Sequence, residues 1–204
     1  MKHVYTHLSK DPRLQEIISS HPPVEKVKLT SDLFVDVLGS IVSQQLSTKA
    51  ADTIWKRFEL LFPDKKVTPE ALLRVADDDI RASGISYPKI KYMKGFAESI
   101  VKRDLILSEL FELSDDMVIE RLTKVKGIGK WTAEMILMFS LGREDVFSLG
   151  DLGLRNAVAK LYEVDRDDLV SIEQISQKWK PYRTYAARYL WSSLDNKPIT
   201  SSQT

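Results

Sequence analysis

The 204 residues carry 43% hydrophobic and 29% charged side chains with a formal net charge of +1, enough apolar content for one packed unit or two small lobes. No cysteine is present, which excludes disulfides, thiolate nucleophiles, zinc fingers and cysteine-ligated iron–sulfur clusters. The histidines, His3, His7 and His21, all lie near the N-terminus, so chemistry deeper in the chain must rest on carboxylates, lysines, hydroxyls or aromatics.

No apolar run approaches the roughly 18–20 residues that span a bilayer, and the N-terminal stretch has no apolar signal-peptide core, so a cytoplasmic protein without a membrane partner is expected. The balanced charge does not by itself mark a nucleic-acid binder. Local clusters do occur at Lys89, Lys91 and Lys94, at Lys124, Lys126 and Lys130, and at Lys178, Lys180, Arg183 and Arg188. A solvated helix face accounts for each of them equally simply.

In chain order, apolar residues recur at helical spacing in Phe34, Val37, Leu38, Ile41 and Val42 after Thr30-Ser31-Asp32. They recur again in Ala50, Ala51, Ile54, Trp55, Phe58 and Leu61 after Ser47. Thr68-Pro69-Glu70 starts a third segment with a cap and a proline at the first helical position. Gly84 closes a short one, and a longer amphipathic helix is predicted from Tyr87 to about Lys102. Further helices are predicted at 114–123, from Lys130 to about Ser140, and at 151–162, 171–179 and 181–194, with a tail of low structure from Pro198 to Thr204. Strand alternation is nearly absent, so the expected class is all-α with roughly ten helices.

Val125-Lys126-Gly127-Ile128-Gly129-Lys130 separates two of these helices. The glycines permit backbone angles and close approaches that side chains block, and Ile128 can anchor the turn in the core. Amides at Gly127, Gly129 and Lys130, with the charges of Lys126 and Lys130, would suit a phosphate at the start of the next helix. A helix–turn–helix connection that needs glycine only for its geometry reads the same way. Downstream, Asp145-Val146-Phe147-Ser148-Leu149-Gly150-Asp151 is an extended apolar segment that delivers Asp151 to a helix N-terminus. There the dipole favours a negative side chain, and a plain capping role is the alternative.

The hairpin through Thr132-Ala133, followed by Asp151, resembles the helix-hairpin-helix base-excision glycosylases, with Lys126 where their pattern has proline. The resemblance implies two helical lobes with the active-site groove between them. One lobe would comprise about 1–32 plus 142–204, and the other about 33–141 with the hairpin motif at 118–140. It implies that Asp151 is the catalytic carboxylate and that Lys126, Gly127, Gly129, Lys130 and Thr132 grip DNA. Gln44, Gln45 and Leu46 resemble the family loop that enters the duplex to fill the space of a flipped nucleotide, although Gln44-Gln45 also reads as a polar turn.

In bifunctional members a lysine stands two residues after the second hairpin glycine. Here that position is Trp131, with Lys130 about 100° away around the helix, so strand nicking through a Schiff base is not expected. The tryptophan, together with Trp179 through Trp191, resembles the 3-methyladenine DNA glycosylase II group in a minimal form without its N-terminal β-domain. That implies a base pocket of Trp131, Met135 and Trp191, where indoles stack on a cationic purine. Core packing is the alternative for both tryptophans. Glu134, the nearby candidate for a general acid, is expected at the surface.

The expected activity is hydrolysis of alkylated purines from double-stranded DNA by a monomer that needs no cofactor. The resemblance also implies a sodium or potassium ion on the hairpin carbonyls. A glycosylase/lyase and a non-catalytic DNA-binding module are the competing readings.

Overall fold

The computed structural model describes residues 1–195, and the tail expected at 198–204 lies outside them. Among the described residues the regular structure is helical, as expected. In chain order the helices are α1 (Lys2–Leu8), α2 (Pro12–Ser20), α3 (Leu33–Ser43), α4 (Thr48–Glu59), α5 (Pro69–Arg74), α6 (Asp77–Ala82), α7 (Tyr87–Val101), α8 (Asp115–Thr123), α9 (Lys130–Phe139), α10 (Leu152–Tyr162), α11 (Leu169–Gln177) and α12 (Arg183–Asp195). No helix in this range is long and apolar enough to cross a membrane.

The chain divides into two compact units, one from Met1–Lys28 with the described part of Gly142–Thr204, the other Leu29–Leu141. In the first unit, α2 and α12 pack with α10 around Leu14, Val158, Trp179, Tyr185, Tyr189 and Leu190. Asp11 organises this core. Its Oδ1 caps α2 by accepting from the Arg13 and Leu14 amides, while Oδ2 accepts from the Tyr162 hydroxyl and the Trp179 indole. A buried carboxylate is tolerable here because both of its oxygens are engaged.

In the second unit α7 is the central element, packed by α5, α6 and α3, while α9 pairs with α8 and packs on α3. The buried face of α7 carries Ile90, Met93, Phe96 and Ala97, and the Phe96 ring stacks on Phe34 of α3 at 5.5 Å. The isoleucine, methionine and phenylalanine side chains each contribute about 1.5–3 kcal/mol on full burial.

Local capping chemistry decided most boundaries. Asp32, Ser47, Thr68 and Asp151 accept from the amides of the helices that follow them. Three boundaries differ from expectation by two residues, the start of α11, its end at Gln177 rather than 179, and the start of α12. Helix α11 begins at Leu169 because Asp168 is the cap, accepting from Ser171, and α12 begins at Arg183 rather than at Pro181. The two N-terminal helices were not anticipated, although Asp11-Pro12 is a cap followed by proline at the first helical position.

Candidate active site and nucleic-acid interface

Asp151 sits at the N-cap of α10, where its Oδ1 accepts from the Leu154 amide at 2.7 Å and from the Trp191 indole at 3.0 Å. Both donors hold one oxygen, which fixes the plane of the carboxylate. Gly153 keeps the approach open: a Cβ at that position would lie 3.0 Å from Asp151 Oδ1 and 3.4 Å from the Trp191 ring.

Helix α12 positions the segment that delivers Asp151 as well as the indole that meets it. At its start the Arg183 guanidinium donates to Asp145 through Nε at 2.7 Å and Nη2 at 3.0 Å, and to the Asp145 carbonyl at 2.8 Å. The Thr184 hydroxyl donates to the Arg143 carbonyl at 2.7 Å and accepts from the Val146 amide at 3.0 Å. With 143–146 held in this way, Phe147 buries against Trp179 and the Asp151 amide closes a turn onto Ser148. The basic cluster read at 178–188 is therefore largely structural. Arg183 pairs with Asp145, Arg188 donates to the Glu25 carbonyl, and Lys178 lies over the Tyr162 ring.

In the second unit, Gly127 has φ +94, and a Cβ there would stand 2.2 Å from the Tyr92 ring. Only glycine fits both demands. Ile128 is buried as the turn anchor, and Gly129 is the N-cap of α9 without a side-chain cap. An uncapped helix N-terminus with exposed Lys126 and Lys130 is suited to an anion. Thr132 is only 3% exposed, so the structure buries it within its unit, where the sequence reading expects it to grip DNA.

The remaining α9 residues divide between surface and core. Trp131 is 44% exposed, so it is not a core residue of its unit, and Met135, one turn on, is half-buried. Glu134 contradicts the surface position expected of it. It is 5% exposed and lies 3.8 Å from the Lys130 ammonium, because α9 is apolar around most of its circumference and packs on α8 and α3.

The loop after α3 is strained and braced. Gln45 has φ +57, which costs a non-glycine residue on the order of 1 kcal/mol. The side chains of Gln45 and Leu46 are exposed. Gln44 turns inward, and its Nε2 donates to the Gly127 carbonyl at 3.2 Å. Lys89 of α7 donates to the Val42 and Gln44 carbonyls at 2.8 and 2.7 Å. Lys89 and Tyr92 were not singled out from the sequence, where Lys89 counted only as part of a surface cluster. Of that cluster, Lys94 also turns to structural partners, Val75 and Asp77, and Lys91 stays exposed. The one available signal was the proximity of Lys89 to the predicted start of α7, where a cation is disfavoured by the dipole and so implies an outside partner.

The comparisons with known proteins agree with the all-helical fold. A structure of a DNA-3-methyladenine glycosidase from Bacillus halodurans matches 95% of the chain and 89% of its own, with a TM-score of 0.81 and 40% identity. A Schizosaccharomyces pombe 3-methyladenine DNA glycosylase in complex with abasic-DNA matches 98% of the chain and 100% of its own, with a TM-score of 0.80 and 32% identity. At the level of sequence, DNA-3-methyladenine glycosylase 1 of Schizosaccharomyces pombe is 34% identical over 89% of the chain and 80% of its own length. The model of the HhH-GPD superfamily base excision DNA repair proteins matches residues 38–181, and the chain belongs to that superfamily.

Proposed function

We propose that the chain is a monofunctional DNA glycosylase that hydrolyses the N-glycosidic bond of alkylated purines of the 3-methyladenine and 7-methylguanine type in duplex DNA, beginning base excision repair. The observation that carries this reading is Asp151, held at the α10 N-terminus with the Trp191 indole donating to it.

The chemistry matches a single carboxylate. Most glycoside hydrolysis needs a second carboxyl group to protonate the leaving group. A purine alkylated at N3 or N7 already carries positive charge and departs as a neutral base. Asp151 then has two tasks, to stabilise the oxocarbenium-like sugar and to orient the water that bonds to C1′ and gives its proton to the carboxylate, while the base takes the electron pair of the broken bond. Exposed Trp131, with Met135 beside it, would stack on the cationic base together with Trp191. The hairpin would hold phosphate, and Gln45 or Leu46 would fill the vacated stack.

Lyase chemistry is disfavoured by the same residues. Trp131 stands where the bifunctional relatives of the fold carry their amine, and the Lys130 ammonium lies beside buried Glu134. A sodium or potassium ion would be held by the hairpin carbonyls, where it would supply positive charge next to the DNA backbone and take no part in bond cleavage. The Val125 and Gly127 carbonyls each already accept one hydrogen bond, from the Ile128 amide and from Gln44, and a carbonyl oxygen can accept two. The partner is double-stranded DNA bound by a monomer, in the cytoplasm of a bacterium or the nucleus of a eukaryote.

Release of free bases from methylated duplex DNA by the wild type and by Asp151→Asn, with strand nicking scored separately, tests the reading. Release by the wild type without nicking, reduced by about 10²–10³-fold in the variant, is the expected result. Equal release by both proteins removes Asp151 from the mechanism, and release by neither leaves a DNA-binding module. Asparagine caps a helix about as well as aspartate, so the comparison is made between folded proteins.

A further inference from the structure

Ser43 to Leu46 leave α3 through a turn with the dihedrals and closing hydrogen bond of type II, which favours glycine or asparagine at its third position and has Gln45 there. Gln44 is already extended at φ −49 and ψ 128, Gln45 is left-handed, and the Leu46 amide closes back onto the Ser43 carbonyl at 3.0 Å. A loop of this kind, exposed and strained at its centre, needs an external brace to keep one shape. The last carbonyls of α3 also need partners from outside the helix.

Lys89 answers both needs. Its ammonium joins a carbonyl of the last α3 turn, Val42, to the first loop carbonyl, Gln44. These are charge-assisted bonds at the negative end of the α3 dipole. The placement is otherwise unfavourable, since Lys89 lies in the first turn of its own helix and burial lowers the affinity of its amine for the proton. Three residues on, Tyr92 fills the space that the missing Gly127 side chain leaves, and Gln44 reaches the Gly127 carbonyl. The first two turns of α7 thus brace the loop through Lys89 and the hairpin through Tyr92, with Gln44 joining the two.

We infer that Lys89 is the positioning residue of the DNA-entering loop: it holds the loop in its opening shape before DNA arrives and in fixed register with the hairpin. Lys89 itself need not touch DNA. The inference rests on the glycosylase reading for its kinetic consequence, because a preorganised loop spares the ordering entropy at the moment when the base is unstacked.

Lys89→Met removes the ammonium and keeps the stem, Lys89→Gln keeps one donor, and exposed Lys91→Met is the control. Hydrogen exchange of residues 42–47 in the free protein is expected to accelerate in Lys89→Met, less in Lys89→Gln, and not in the control. In single turnovers on paired duplex containing 7-methylguanine, Lys89→Met should lose roughly 10- to 100-fold in rate, the scale on which misplacing a positioned group acts. On a duplex in which the lesion faces a gap, and opening is already done, that deficit should vanish while binding to undamaged duplex stays at the wild-type level.

Unchanged exchange in the loop, or the same deficit on paired and gapped duplex, overturns the inference and makes Lys89 a general structural residue. If the wild type releases no methylpurine, it is the glycosylase reading that fails, and the exchange measurement still decides whether Lys89 orders the loop.

Discussion

The Trp191 indole donates to Asp151 Oδ1 at 3.0 Å across 40 residues of sequence. The aromatic expected to face a base is therefore also the group that orients the carboxylate. On the proposed reading, stacking and acid placement would meet in one side chain, and substitution separates the two roles.

Trp191→Phe keeps a ring and removes the donor. A hydrogen bond to a charged group contributes about 1.5–3 kcal/mol, so a rate loss on the order of 10-fold or more is expected in single-turnover base release. Trp191→Leu, which removes the ring as well, should lose more. Equal losses in the two would assign the role to the hydrogen bond alone, and a Trp191→Phe variant as active as the wild type would assign it to stacking.

Gly153→Ala tests the space around the carboxylate. The added methyl would lie 3.0 Å from Asp151 Oδ1 and 3.4 Å from Trp191, which forces one of them to shift. Activity should fall while the melting temperature changes little, since alanine favours the helix by about 1 kcal/mol over glycine. A fully active variant would mean that the pair yields without consequence.

Gly127→Ala should be costly for the fold. Its positive φ and the 2.2 Å overlap with Tyr92 act together, and strain plus overpacking predicts a loss of about 2–4 kcal/mol in unfolding free energy. Combining it with Tyr92→Ala relieves the overlap but not the backbone strain, so the double variant should show a non-additive cycle by denaturant titration.

Alkaline stability is set in part by Tyr185 and Tyr189. Burial pushes both hydroxyls up to about 12, with hydrogen bonds to Glu144 and Tyr5 respectively adding to the rise. An unfolded tyrosine titrates near about 10, so between these values the folded state holds protons that the unfolded chain releases. The stabilisation is fully present below about pH 10 and is lost as pH rises through about 12. Melting temperatures followed from pH 8 upward should fall across that window. The fall should be shallower in Tyr189→Phe, and an unchanged slope there would remove Tyr189 from the effect.

The sequence by itself determined the helical class, the caps and the hairpin, because these depend on neighbours three or four positions apart. Asp32, Ser47, Thr68 and Asp151 cap helices as their side-chain chemistry dictates, and Ile128 buries between two glycines as spacing requires. Tertiary structure alone decided which long side chains turn inward. Glu134 is buried because α9 is enclosed by other helices, Thr132 is buried for the same reason, and Trp131 stays exposed on the same short helix. Lys89 reads as one more surface lysine until α3 ends beside it. A flexible ammonium takes its partner from whatever carbonyl the fold leaves unsatisfied nearby. That partner lies 45 residues away, and no local pattern of residues encodes the meeting.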